Sequence, residues 1–349
     1  MEKNNALIEV RGLRTHFFTD EGVVKAVDSV DIVIPRGKTL CVVGESGSGK
    51  SITARSIMQI VDKPGRIVEG DILYHRDGGE TLNLAKMNPR GRAIRQIRGK
   101  EIAMIFQEPM SSLSPVHSIG NQIMEVILLH LPVSKREARE RAIDSLRRVG
   151  FPKPEERIDA YPFQLSGGLR QRAMIAMALA NEPSLLIADE PTTALDVTTQ
   201  ANILDLIRGL QEEIGMSVMF ITHDLGVVAE IADEVVVMYL GTVAERGHVD
   251  DIFHDPKHPY TRALLQSIPT VGLEERERLA SIRGMVPHPF SRPAGCPFHT
   301  RCDYNMPGVC DEIVPPREAH GEGREVRCLL YSDLGKLGKD NRAKEGAFV

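Results

Sequence analysis

The spacing of hydrophobic residues along the chain predicts alternating strands and helices, the pattern of an α/β fold. Short continuous apolar runs are typical of buried strands; they occupy residues 39–43, 101–106, 185–188 and 217–222. Apolar residues at intervals of three and four instead indicate helices; they occupy residues 51–61, residues 119–127 and the segment that follows Ser166. Because ligands of open parallel sheets bind beyond the carboxyl ends of the strands, functional residues are expected there.

Composition describes an ordinary globular protein and excludes several classes. The 349 residues suggest two domains, or one large domain with an appendage, and 42% hydrophobic and 26% charged residues rule out wholesale disorder. A net charge of −5 gives no global attraction to nucleic acid. No apolar run approaches the roughly 20 residues that span a bilayer, and the first residues lack the apolar core of a signal peptide. We therefore expect a cytosolic protein with reduced or metal-bound cysteines.

A phosphate-binding loop is indicated at residues 44–51, where GESGSGKS matches the pattern G-x-x-x-x-G-K-[ST]. A predicted strand precedes the loop and a predicted helix follows it, which is the context that this motif requires. Its glycines let backbone N–H groups turn toward phosphate, and the helix N-terminus adds partial positive charge. Lys50 is expected to reach the β- and γ-phosphates, and the Ser51 hydroxyl to bind Mg²⁺. The alternative is a glycine-rich turn with an incidental lysine.

Two carboxylates at the end of another predicted strand indicate a second part of the same site. Asp189 and Glu190 directly follow the apolar run at residues 185–188. In that position Asp189 is expected to hold a metal ion through water, and Glu190 to polarise the attacking water as a general base. The alternative interpretation is an acidic pair that caps a helix.

Further motifs resemble those of ATP-binding cassette (ABC) ATPases. Residues 165–172, LSGGLRQR, resemble the family's signature sequence; Gln107 resembles its Q-loop, Asp196 its D-loop and His223 its switch histidine. The motifs follow the family's order and spacing from residue 7 to about residue 250. The resemblance implies a P-loop ABC nucleotide-binding domain, which has a RecA-like core, an antiparallel β subdomain and a helical subdomain.

The resemblance also implies which residues bind ATP and Mg²⁺. The implied ATP ligands are Phe17, Gly44, Glu45, Ser46, Gly47, Ser48, Gly49, Lys50, Ser51, Ile52, Gln107 and Asp189. Ser51, Gln107 and Asp189 are the implied Mg²⁺ ligands, and Lys50, Glu190 and His223 the catalytic residues. Phe17 matches the aromatic residue that stacks on adenine, although the adjacent Phe18 fits as well and either is also explained as a core phenylalanine.

The signature and D-loop residues are expected to act across a subunit interface. By resemblance, Ser166, Gly167, Gly168 and Asp196 contact ATP that is bound to a second ATPase subunit in a head-to-tail dimer. A serine followed by two glycines at the start of a helix also makes a simple N-cap, which is the alternative. Leu169 departs from the glutamine that many members have, but this position varies and does not indicate lost activity.

Residues 108–180 are expected to form the helical subdomain. Ser134 and Glu137 have the spacing of a capping box, and Gly150 follows the next helix as a candidate C-cap. By resemblance, residues 111–118 lie near the contact with a membrane subunit. The basic run at residues 86–100 has no interleaved aromatic residues, so it is interpreted as a solvated face rather than a nucleic-acid site.

The last third of the chain narrows the resemblance to one branch. The triplet His258-Pro259-Tyr260 resembles the C-terminal extension of ATPases that energise dipeptide and oligopeptide import. The predicted divisions are an ATPase domain at residues 1–254, this extension at residues 255–330 and a flexible tail at residues 331–349. The branch implies a homologous partner ATPase, two permeases and, indirectly, a solute-binding protein, at the cytoplasmic face of the membrane. Relatives that import nickel, glutathione or oligosaccharides leave the substrate open.

Four cysteines in the extension are candidate ligands. Cys296, Cys302, Cys310 and Cys328 lie in a segment with too few apolar residues for its own core, which a metal would cross-link. Structural zinc sites usually have C-x₂₋₄-C pairs, which are absent here, whereas some peptide-importer ATPases carry a 4Fe–4S cluster on such a tail. Zinc and unligated thiols remain alternatives, with His299 as a substitute ligand.

Two functions of other classes are alternatives to import. A soluble ABC ATPase that acts on DNA or ribosomes usually has two cassettes, a long coiled coil or a zinc-bearing insertion, none of which is visible. A redox-sensing module centred on the tail cysteines would make ATP hydrolysis secondary, and it would show a redox-dependent ATPase rate.

Overall fold

The structure is a computed structural model that describes residues 5–107, 112–193, 196–267 and 282–333. Its strands are β1 (Ala6–Thr19), β2 (Gly22–Pro35), β3 (Thr39–Val43), β4 (Gly65–His75), β5 (Thr81–Asn83), β6 (Ile102–Ile105), β7 (Leu185–Asp189), β8 (Ser217–Ile221), β9 (Glu234–Tyr239), β10 (Thr242–His248), β11 (Glu318–Ala319) and β12 (Glu325–Val326). Its α-helices are α1 (Lys50–Ile57), α2 (Arg92–Ile97), α3 (Ile119–His130), α4 (Lys135–Arg148), α5 (Pro154–Arg157), α6 (Gly167–Leu179), α7 (Val197–Ile214), α8 (Leu225–Ile231), α9 (Val249–His254) and α10 (Pro259–Gln266). Within these described ranges, no helix combines the length and the apolar character that crossing a bilayer requires.

Two sheets form the framework of the described chain. The smaller is antiparallel, in the order β2-β1-β4-β5. The larger has the order β11-β12-β10-β9-β3-β8-β7-β6, and its strands from β9 to β6 are parallel. A parallel core beside an antiparallel sheet confirms the α/β class with a RecA-like core and an antiparallel β subdomain.

The central strand β3 is completely buried because it contributes to two hydrophobic cores. Leu40 and Val42 pack into the core between the two sheets, whereas Cys41 and Val43 face the core on the helical side. Successive side chains of a strand point to opposite faces, so a strand covered on both faces must be apolar at every position. Cys41 is accordingly a small core residue, as the sequence predicts, and burial raises the pKa of its thiol.

The helix predicted at residues 51–61 is shorter than expected. Helix α1 ends at Ile57, where the Met58 N–H donates to the carbonyl oxygen of Ala54 and the Gln59 N–H to that of Ser56. Gln59 has φ 54°, a left-handed conformation that turns the chain out of the helix. Ile60 is apolar because it packs against the core between the two sheets, not because the helix continues.

Helices α3 to α6 lie within the segment predicted to be the helical subdomain, of which residues 108–111 are outside the described residues. The Ser134 side chain accepts the N–H of Glu137 at 3.2 Å, as an N-cap should. The second bond of the predicted capping box would join the Glu137 side chain to the Ser134 N–H. The Glu137 carboxylate accepts from Arg141 instead. Gly150 has φ 66°, the left-handed conformation of a helix C-terminus. The boundaries at residues 108 and 180 remain predictions.

The extension at residues 255–330, of which residues 268–281 are outside the described residues, joins the main sheet. It supplies α10, and its short strand β12 pairs with β10. Glu245 of β10 is fully buried, and its carboxylate accepts the N–H groups of Lys257 and His258 and an Arg324 Nη2–H at 3.0 Å. Removing one partner of a buried ion pair costs about 3–5 kcal/mol, so this cluster holds the extension against the sheet. Of the flexible tail predicted at residues 331–349, residues 334–349 are outside the described residues.

Candidate nucleotide-binding site

The loop at residues 44–51 requires glycine at two positions where the backbone passes close to neighbouring strands. Gly44 has φ 146°, and a Cβ there would lie 2.1 Å from the carbonyl oxygen of Met238. Gly49 has φ 100°, and its Cβ would lie 2.5 Å from the carbonyl oxygen of Ala26. Both conformations are strained for residues with a side chain. The glycines therefore let the loop pass close to strands β9 and β2, ahead of helix α1.

Lys50 is buried at the first position of α1, with its ammonium group turned back into the loop. Its Nζ donates to the carbonyl oxygens of Gly44 at 2.7 Å and Glu45 at 3.1 Å. Burial lowers the pKa of Lys50, because the charged form loses water, while nearby carboxylates act in the opposite direction. A phosphate oxygen is a stronger acceptor than these carbonyl groups and brings the opposite charge. The geometry thus suits an ammonium group that reorients onto bound phosphate.

The hydroxyl and carboxylate predicted to hold Mg²⁺ are in contact. The Ser51 Oγ donates to Asp189 Oδ1 at 2.9 Å, and burial raises the pKa of Asp189. Protein sites for Mg²⁺ commonly use one or two carboxylates together with water and substrate phosphates. Ser51 and Asp189 fit that incomplete ligand set. The Gln107 amide Nε2 donates to Glu190 at 3.1 Å, and the role of its amide oxygen as an Mg²⁺ ligand stays a prediction.

Glu190 lies at the end of β7, where three polar side chains converge on it. Its Oε2 accepts from Gln107, from the Thr193 hydroxyl at 3.0 Å, and lies 3.5 Å from the Nδ1 of His223. The structure therefore brings the predicted base and the switch histidine together. Thr193 was missed, because a threonine three residues after a carboxylate carries no distinctive signal in the sequence.

A cavity of about 350 Å³ extends from the loop toward β1. The predicted residues that line it are Phe17, Ser46, Gly47, Ser48, Gly49, Lys50, Ser51, Ile52, Gln107 and Glu190. Phe17 faces this cavity, whereas the ring of Phe18 lies 4.2 Å beneath the guanidinium carbon of Arg66. Neighbouring strand residues point to opposite faces. The structure therefore favours Phe17 over Phe18 as the residue that stacks on a base.

The signature and D-loop residues lie elsewhere and do not line this cavity. Ser166 caps helix α6 by accepting the N–H of Leu169 at 3.4 Å, with Gly167 and Gly168 in the first turn. Asp196 caps α7 by accepting the N–H and the hydroxyl of Thr199 at 2.9 and 2.7 Å. A Cβ on Gly168 would lie 3.6 Å from the Thr199 methyl group, so the two motifs are neighbours. Residues 194 and 195 of the D-loop are outside the described residues.

The extension also reaches the cavity, which the sequence did not reveal. Pro289 and Arg292 form part of its wall, and Arg292 donates to Asp28 of β2 at 2.7 Å. Burial lowers the pKa of Arg292, although its carboxylate partner opposes this effect. These residues lie more than 230 positions from the phosphate loop, and no local pattern marks them. Only the docking of the extension brings them there.

The four tail cysteines are gathered into one region without a disulfide among the described residues. Burial raises the pKa of Cys296 and Cys302 to about 11 and that of Cys328 to about 12; negative charge on neighbouring thiols, including Cys310, adds to each shift. Within the described ranges, no three His, Cys, Asp or Glu side chains have the arrangement of a metal site. His299 bonds through Nδ1 to the Cys296 carbonyl oxygen, so that nitrogen is already engaged.

Comparison with known proteins identifies the family. Residues 27–193 match the family described as ABC transporter, and residues 244–310 match the oligopeptide/dipeptide transporter C-terminal region. A putative peptide import ATP-binding protein of Brucella ovis is 48% identical over 334 residues, covering 94% of this chain and 98% of the relative. The chain belongs to the ABC transporter family of ATP-binding proteins. As an ABC ATPase, it binds ATP and hydrolyses it in the service of transport.

Other relatives and solved structures of ABC proteins agree with this assignment. The oligopeptide transport ATP-binding protein AppD of Bacillus subtilis is 48% identical, covering 95% of this chain and 98% of AppD. The dipeptide transport ATP-binding protein DppD of Haemophilus influenzae is 46% identical, covering 93% and 95%. The dimeric ATP-binding cassette MJ0796, solved with ADP and phosphate, has a TM-score of 0.60 and 27% identity, covering 69% of this ABC ATPase and 98% of that chain.

Proposed function

We propose that this ABC ATPase energises the import of dipeptides and oligopeptides. The observation that carries the proposal is the similarity of residues 244–310 to the oligopeptide/dipeptide transporter C-terminal region, because the cassette itself occurs in many kinds of transporter. The names of the full-length relatives support the same substrate class. Nickel, glutathione and oligosaccharides are the alternative cargoes.

In the proposed reaction, positioning and electrostatics provide most of the catalysis. Lys50 and the loop N–H groups stabilise charge on the phosphates, and Ser51 and Asp189 hold the Mg²⁺ that accompanies ATP. Glu190 accepts a proton from the attacking water, and its contacts with Thr193 and Gln107 orient the carboxylate. His223 lies beside the same oxygen and is placed to contact the γ-phosphate.

The proposed assembly is a head-to-tail pair of ATPase subunits beneath two permeases. Ser166, Gly167, Gly168 and Asp196 contribute to no cavity wall around Lys50 in this chain, which supports a role at the partner's ATP. Opening and closing of that pair would drive alternating access, and a solute-binding protein would deliver cargo from the other side. The ATPase would then sit peripherally at the cytoplasmic face of the membrane.

We also propose that Cys296, Cys302, Cys310 and Cys328 bind a 4Fe–4S cluster, with zinc as the alternative. Four sulfur donors suit either group, and their mutual effect on pKa supports their proximity. The thiols are not arranged as a closed site in the structure, so binding must draw them together. The group would supply a cross-link to a segment that has only a small core around Met306 and Leu329.

Peptide uptake should depend on this chain and on its ATPase activity. Cells that lack the protein are expected to lose uptake of labelled di- and oligopeptides, and the wild-type chain should restore it whereas Glu190→Gln should not. Uptake of labelled Ni²⁺ and of labelled oligosaccharide is measured in the same cells and compared with peptide uptake. Normal peptide uptake without the protein would exclude peptides as the cargo and leave the ATPase assignment intact.

Protein purified without oxygen should contain about four iron and four sulfide per chain, and Cys302→Ser should lose most of both. Metal and sulfide analysis measures this directly and distinguishes zinc. Cys41→Ala is the matched control, because Cys41 is in the core and distant in sequence from the cluster. Near-zero iron and zinc with four titratable tail thiols would contradict the proposal.

A further inference from the structure

The extension makes a partly buried ion pair with the phosphate loop itself. Arg301 donates through Nη1 to Glu45 Oε2 at 2.6 Å and through Nη2 to Glu45 Oε1 at 3.0 Å. The Arg301 side chain is only 4% exposed. Glu45 is the second residue of the loop, so a two-pronged contact from a segment 256 residues away grips the loop beside its first glycine. Such bidentate pairs are among the stronger and more directional hydrogen bonds in proteins.

Arg301 is itself held by contacts with the extension and with strand β9. Its Nε donates to the carbonyl oxygen of Arg283 at 2.9 Å, and its Nη1 also reaches the Tyr239 hydroxyl at 3.3 Å. The rings of Tyr239 and Phe298 meet edge to face with centroids 5.3 Å apart beside it. The guanidinium group therefore has little freedom to follow Glu45 if the loop moves, and the loop must adopt the position that Arg301 defines.

A second contact from the extension fixes the Glu45 backbone. The Glu45 N–H donates to the Tyr260 hydroxyl at 2.9 Å, and Tyr260 is fully buried on α10. The carbonyl oxygen of the same residue accepts from Lys50 Nζ at 3.1 Å. Glu45 is thus held at its side chain and its N–H by the extension, and its carbonyl group faces the lysine that is to bind phosphate.

We propose that Arg301 is a positioning residue of the ATP site, through which the extension holds the phosphate loop in its nucleotide-binding shape. Because coupling between two sites is reciprocal, nucleotide bound to the loop must stabilise the part of the extension that carries Arg301. The inference rests on the proposed ATP site at residues 44–51 and does not depend on the transported substrate. By this proposal, the extension helps to position the loop that binds the nucleotide.

A double-mutant cycle on the full-length chain tests the contact. Arg301→Gln is expected to weaken ATP·Mg²⁺ binding about tenfold, measured by titration, while kcat at saturating ATP changes little. Arg301→Lys should recover part of the loss. In a chain that already has Glu45→Gln, Arg301→Gln should cause no further loss, because the partner is gone. Additive losses in the double variant, or unchanged affinity in Arg301→Gln, would overturn the proposal.

Arg283→Gln is the matched control, since among the described residues the Arg283 side chain pairs with exposed Asp303 at 3.1 Å, and the substitution keeps the backbone carbonyl group that holds Arg301. It should bind ATP like the wild type. Hydrogen exchange of the wild-type chain tests the reciprocal effect without any variant: residues 296–303 should exchange more slowly with ATP·Mg²⁺ bound. Wild-type protein that binds ATP with unchanged exchange there overturns the coupling alone, whereas wild-type protein that binds no ATP overturns the proposed site as well.

Discussion

Glu190→Gln is expected to lower the ATPase rate by about 10²- to 10⁴-fold while ATP binding is retained. The substitution keeps the size of the side chain and an oxygen that can accept from Thr193 and Gln107, but removes the basic carboxylate. Binding survives because the phosphate contacts come from the loop and Lys50. Single-turnover ATP hydrolysis and ATP titration of the same preparation separate the two effects.

Glu182→Gln provides an unusually close control for this substitution. Glu182 and Glu190 both have φ 49°, so the control reproduces any strain from glutamine in the left-handed region. Glu182 is on the surface, where it pairs with Arg148 at 2.7 Å, and its replacement should leave hydrolysis unchanged. Unchanged hydrolysis in Glu190→Gln itself would refute the assignment of the base.

Lys50→Ala is expected to weaken ATP binding at least about 100-fold, and turnover at ordinary ATP concentrations should fall with it. Lys50 is 6% exposed, and its partners without nucleotide are two carbonyl groups. Truncating a buried group that bonds to an anion removes attraction that water cannot replace there. Calorimetric titration with ATP·Mg²⁺ measures the loss directly.

Lys38→Ala is the comparison for charge removal alone. Lys38 pairs with Asp233 at 2.8 Å, but its side chain is half exposed, and exposed pairs contribute about 0–1 kcal/mol to stability. Its ATP affinity should match that of the wild type. If Lys50→Ala bound ATP as tightly as Lys38→Ala, the ammonium group would have no part in holding the phosphates.

Local patterns in the sequence determined the phosphate-binding loop, the strand and helix that flank it, and the class of the fold. The loop at residues 44–51 could be predicted because its glycines are needed for a positive φ or for a close backbone approach. The motif itself specifies glycine at those positions. The strand at residues 39–43 could be predicted from its apolar run, because a strand that is buried on both faces can be apolar throughout. Helix α1 was predicted to be too long, because the spacing of apolar residues gives no sign of the turn at Gln59.

The tertiary structure alone decided which distant residues complete the site. Arg292 reaches the cavity wall and Arg301 pairs with Glu45 only after the extension has docked. Arginine occurs at many surface positions, and the partners of these two arginines lie far away in the sequence, so no window of residues distinguishes them. Burial is what makes such contacts strong, and burial is a property of the folded chain.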